Sequence, residues 1–109
     1  MLSEEMREEL VRGLTDIFQN NISMIILYGS AARNEATLES DVDVAIIVKD
    51  SMDNDTKSRF VRWVAYMDLR YERVFSIVDI QESNLMKWEK VLPFYQNIRK
   101  EGIVLWKAA

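Results

Sequence analysis

Over its first twenty positions the chain carries apolar residues at intervals of three and four: Met6, Leu10, Leu14, Ile17 and Phe18. This is the period of a helix with one buried face. The spacing predicts a helix over 4–20, with Ser3 as N-cap, Glu4 and Glu5 in the first turn, and Gln19-Asn20-Asn21 as its end. The pattern then changes. Ile22 to Tyr28 is a short, nearly continuous apolar run, as in a buried strand. Gly29-Ser30 breaks it, Ala31 to Asn34 can make a helical turn, and Glu35 to Ser40 reads as a polar loop. Asp41 to Val48 is a second strand, in which Val42, Val44 and Ile46 face one side and Asp41, Asp43, Ala45 and Ile47 the other.

After a polar linker over 49–55, a helical stripe returns at Phe60, Trp63, Val64, Met67 and Tyr71, predicting a helix over 56–71. Val74 to Ile80 reads as a third strand, interrupted by Asp79, and 83–90 as a short helix. Pro93 suits the first turn of a last helix through Lys100. Glu101-Gly102 stops it, and Ile103 to Trp106 can add an edge strand. The order, α-β-turn-β-α-β-α-α-β, predicts one α/β or α+β layer of strands with helices against it. Trp63, Met67, Trp88 and Phe94 are expected in the core, and Arg59, Arg62, Arg70 and Arg73 on a solvated helix face.

Composition narrows the chemistry. The 109 residues are expected to form a single domain, 1–109, and 49% hydrophobic content supports a globular core. No apolar run approaches the roughly 20 residues that span a bilayer. The acidic start lacks the apolar stretch of a secretory signal, so a cytoplasmic location is expected. The chain has no cysteine and no histidine, which excludes disulfides, thiolate or imidazole metal sites and His-based catalysis within it. A formal net charge of −4 argues against an extended, sequence-independent grip on nucleic acid. Carboxylates, hydroxyls, Lys, Arg and borrowed metal ions remain.

Two features at a fixed spacing use those means. Gly29-Ser30, after a strand, can present backbone N–H groups and a hydroxyl to phosphate oxygens; the same pair can equally be an ordinary turn. Arg33, one turn on, can reach the same phosphates with a bidentate fork or lie in water. Asp41 and Asp43, two apart in a strand, have Cα atoms roughly 6.5–7 Å apart on one face. They can converge on divalent cations, or lie in a frayed strand start exposed to water. Asp79 can join them if the third strand lies beside the second, holding a metal and taking a proton from an attacking hydroxyl; otherwise it caps a turn.

Leu27-Tyr28-Gly29-Ser30-Ala31-Ala32-Arg33, followed by Ser40-Asp41-Val42-Asp43-Val44-Ala45, resembles the signature of the DNA polymerase β-like nucleotidyltransferase superfamily. The short chain is similar to its minimal nucleotidyltransferases, or MNT proteins, with Val78-Asp79-Ile80 matching the third-carboxylate strand. Asn34 departs from the glycine that many relatives carry after the motif's Arg. The resemblance implies a small mixed sheet of three to four strands flanked by helices. It further implies that Gly29, Ser30 and Arg33 hold a nucleoside triphosphate, ATP above all. Asp41 and Asp43 would bind two Mg²⁺, with Mn²⁺ an alternative, and Asp79 would complete the triad. The implied reaction moves a nucleoside monophosphate to a hydroxyl and releases pyrophosphate. The implied partner is a HEPN-domain RNase toxin, modified on a tyrosine by some members. The Arg-x4–6-His motif of such an RNase cannot reside in a chain without histidine. The far wall of the acceptor site would come from a partner or a second copy, so homo- or hetero-oligomers are expected. Neutralisation by contact alone, or transfer to a small molecule by an oligomer, are the alternative readings.

Overall fold

The computed structural model describes residues 2–32 and 41–109. Ser3 caps the first helix, its Oγ accepting a hydrogen bond from the Met6 N–H at 3.1 Å. Helix α1 runs Glu4–Phe18, and Gln19–Asn21 follow as a 3₁₀ turn, so the predicted helix end is tighter than a regular α-helix. The cause is Gln19, whose φ of 49° stops the α-helix. Strand β1 is Ile22–Tyr28, and the single-turn helix α2 is Gly29–Ala32. Strand β2 is Val42–Val48 and helix α3 is Asn54–Tyr71. Helix α3 starts two residues before the predicted 56 because Asp53 N-caps it, accepting from the Thr56 N–H at 2.7 Å. Strand β3 (Phe75–Gln81), helix α4 (Glu82–Trp88), helix α5 (Pro93–Glu101) and strand β4 (Ile103–Lys107) complete the predicted order.

The strands form one mixed sheet in the order β3-β2-β1-β4. β1 is antiparallel to β2 and β4, whereas β2 and β3 are parallel, as a crossover through α3 requires. The alternation read in β2 separates the two faces. Val42, Val44, Ile46 and Val48 join Leu10, Leu14, Phe18, Ile25, Leu27, Met67 and Phe75 in the larger core, beneath α1 and α3. Ala45 and Ile47 join Ile26, Ile80 and Ile98 in a smaller core, with Tyr28, Val78, Leu85 and Tyr95 packed around it beneath α4 and α5.

Two expectations fail here. Trp88 and Phe94 are 37% and 44% exposed, whereas Met67 is fully buried and Trp63 packs against the larger core. The smaller face is covered only by two short helices, and Ile98 is the buried residue of α5. Arg70 is exposed, as expected, and its guanidinium also binds Glu5 at 2.6 Å and Glu9 at 2.8 Å, tying α3 to α1. Among the described residues, no helix is long and apolar enough to cross a membrane.

Candidate functional site

The site is built where β1 leaves the sheet. Tyr28, the last residue of β1, is the register partner of Asp43 in β2. Gly29 then turns the chain into α2 with φ +72°, a left-handed conformation that L side chains resist. The turn therefore passes directly beside Asp43. A Cβ placed on Gly29 would overlap the Asp43 carboxylate, with Cγ 3.2 Å and Cβ 3.3 Å away. Backbone and carboxylate approach closely only because residue 29 has no side chain.

Asp43 is half-buried, and Asp41, just before the strand, is exposed. Carrying the alternation of β2 back one residue puts Asp41 on the face of Asp43. Ser30 is half-buried in the first turn of α2. Burial raises the pKa of the Tyr28 hydroxyl, and the nearby charge of Asp43 raises it further. Phe94 of α5 packs edge-on against Tyr28, ring centroids 5.8 Å apart and planes at 87°. Gly29 and Asp43 thus meet at one end of the sheet, on the face of α5, with Ser30 and Asp41 beside them in the chain. Among the described residues, Asp41 and Asp43 are the side chains there that could hold a divalent cation; Mg²⁺ takes one or two protein carboxylates and completes its shell with phosphate oxygens and water. Arg33 lies outside the described residues.

Asp79 does not join this group. In the parallel β2–β3 pair, Asp43 lies beside Ser76, Ala45 beside Val78, and Ile46 beside Asp79. Ile46 belongs to the opposite face from Asp43, and so does Asp79. Asp79 is also three residues further along the strand, about 10 Å at the usual rise. Among the described residues, no cluster of three acidic side chains is placed to hold a metal. The predicted triad of Asp41, Asp43 and Asp79 is therefore not assembled. Two side chains that the sequence reading passed over flank Asp43 instead, Tyr28 on β1 and Ser76 on β3. For Ser76 the signal is its odd spacing from Asp79, which forces the two onto opposite faces of one strand.

Comparison with known proteins places this geometry in context. A family model described as "Polymerase beta, Nucleotidyltransferase" matches residues 13–109. Two proteins of Methanocaldococcus jannaschii, both named "Putative protein adenylyltransferase", are similar. One is 28% identical over 106 residues, covering 97% of this chain and 100% of its own length. The other is 31% identical over 72 residues, covering 66% and 73% respectively. Among solved structures, a toxin–antitoxin crystallised with AMP-PNP superposes with a TM-score of 0.68 at 20% identity, over 94% of this chain and 73% of that one. A tri-AMPylated Shewanella oneidensis HEPN toxin in complex with MNT antitoxin gives 0.63 at 16% identity, over 98% and 74%. At these identities the structural likeness is one of fold.

Proposed function

The chain belongs to the Polymerase beta nucleotidyltransferase family, and from that premise we propose that it transfers AMP from ATP to a hydroxyl of a HEPN-domain partner protein, as the antitoxin of a toxin–antitoxin pair. The observation that carries this reading is the approach of Gly29 to Asp43. It joins a turn able to hold phosphate to a carboxylate able to hold a cation.

In this reading the backbone of the Gly29 turn and the Ser30 hydroxyl bind the triphosphate, with Arg33 adding its guanidinium. Asp41 and Asp43 hold Mg²⁺ against the same phosphates. Bound there, the ion offsets the charge that develops on the phosphate oxygens. The acceptor hydroxyl oxygen forms a bond to the α-phosphorus, the bond from that phosphorus to the bridging oxygen breaks, and pyrophosphate leaves. The names of the similar proteins support protein adenylylation and a HEPN partner. The test is incubation of the chain with ATP labelled at the α-phosphorus, Mg²⁺ and the HEPN partner. Label is expected on the partner with the wild-type chain and not with Asp41→Ala/Asp43→Ala; equal labelling by both removes the assignment.

One observation favours a second reading, neutralisation by contact. Asp79 stands away from the other two carboxylates, so the site has fewer acidic groups than the resemblance implies. Under that reading the double Asp variant still protects cells from the toxin; under the first it does not.

A further inference from the structure

The β2–β3 register bears on how many ions the proposed site can hold. Asp43 has two lateral neighbours on its face of the sheet, Tyr28 from β1 and Ser76 from β3. Neither is a carboxylate. The next pair along this face is Ala45 beside Val78, then Ile47 beside Ile80, both pairs apolar and packed under α4 and α5. The acidic side chain of β3, Asp79, is exposed on the other face, beside Ile46. No rotamer change brings it through the sheet, because the two faces are separated by the hydrogen-bonded backbone of β2 and β3.

Two ions about 3.5–4 Å apart need negative charge on both sides to offset their mutual repulsion. Among the described residues, Asp41 and Asp43 are the carboxylates that supply it on this face, and the lateral position toward β3 is a neutral hydroxyl. We infer that Ser76 occupies the site's third position, so that the chain's own residues hold one divalent cation, with Asp79 outside the site. The inference rests on the nucleotide site proposed above. It also bears on the proton of the acceptor hydroxyl: on this face β3 presents no carboxylate to receive it, so among the described residues it passes to Asp41 or Asp43, or else to water.

The site is then one substitution from a three-carboxylate arrangement. Ser76→Asp puts an acidic side chain abreast of Asp43, on a half-buried edge-strand position already occupied by a polar group. The experiment is Mn²⁺ binding to the full chain, followed by the paramagnetic resonance of free Mn²⁺, with the α,β-methylene analogue of ATP present so that no transfer occurs. One ion per chain is expected for the wild type beyond those the analogue holds in buffer. Asp43→Asn is expected to weaken it by about tenfold or more, while Asp79→Asn and Ser76→Ala stay within about twofold. Ser76→Asp is expected to tighten binding by about tenfold or to add a second ion.

An Asp79→Asn variant that loses the ion as Asp43→Asn does overturns the inference and leaves the nucleotide site standing; so does a wild type that binds two ions. A wild-type chain that binds none overturns both. If Ser76→Asp fails to fold, the contrast between Asp79→Asn and Asp43→Asn still decides, since Asp79 is exposed and its substitution leaves the core untouched.

Discussion

The Asp43 carboxylate fills the space that a side chain on Gly29 would occupy. Two requirements therefore fall on residue 29: the positive φ and the vacant Cβ position. Gly29→Ala is expected to destabilise the fold by about 1–3 kcal/mol and to abolish binding of an ATP analogue. The two requirements separate in a second background. With Asp43→Ala the overlap disappears and only the backbone term remains, about 1–2 kcal/mol. Urea unfolding of the four chains measures both; equal costs in the two backgrounds refute the overlap.

Met67 and Met86 share a residue type and a helical setting, and they differ in burial. Met67 is fully buried in the larger core, and Met86 is 79% exposed on α4. Met67→Ala is expected to cost about 2–5 kcal/mol through lost contacts and a cavity. Met86→Gln is expected to stay within about 0.5 kcal/mol. Thermal unfolding of the two variants checks the contrast, and a costly Met86→Gln would mean that α4 packs more tightly than the structure has it.

How much of this was legible beforehand follows from which periodicities suffice. Alternation within β2 assigns Asp43 and Ala45 to one face and Val44 and Ile46 to the other without knowledge of any neighbour. The Gly29-Ser30 break between two strands is likewise a local signal, and the structure brings it to Asp43. Asp79 was different, because its place depends on how β3 slides against β2. Alternation in β3 leaves two choices, Ser76 facing the site or Asp79 facing it, and only the register decides for Ser76. Trp88 and Phe94 failed for a related reason: spacing marks a helix face but does not say whether another element covers it.

Glu9 makes stability depend on pH. It accepts hydrogen bonds from the Tyr71 hydroxyl at 2.5 Å and the Tyr66 hydroxyl at 2.7 Å, and it pairs with Arg70. The Tyr71 bond is the leading cause holding its carboxyl below the ordinary value of 4.5; burial opposes this, and Tyr66 and Arg70 add to the lowering. A carboxyl with a depressed folded pKa binds its proton more weakly folded than unfolded. Its contribution is full above the unfolded pKa and is lost as pH falls through the folded one. Asp53, held down by the Thr56 N–H, acts with the same sign. Unfolding between about pH 6 and pH 3 is expected to show stability falling with pH, with a shallower fall in Glu9→Gln that leaves the Asp53 part. An unchanged slope in Glu9→Gln would remove the assignment.

Gly13 sits in α1 under the indole of Trp63 from α3, and a Cβ there would overlap that ring. In an open helix, replacing Gly by Ala stabilises by about 1 kcal/mol, because the Gly backbone loses more freedom on folding. Here the overlap opposes the gain, and forcing a methyl into a packed contact costs about 1–3 kcal/mol. Gly13→Ala is therefore expected to destabilise the wild-type chain. Trp63→Leu removes the ring and its own packing against the core, so it costs stability by itself. In that background, however, Gly13→Ala is expected to stabilise. The cycle of four chains, measured by urea unfolding, should return a coupling of about 1–3 kcal/mol with a reversal of sign. A coupling near zero would mean that α1 and α3 do not meet through this pair, leaving the Phe18–Phe60 ring contact and the Glu9–Arg70 ion pair to set their approach.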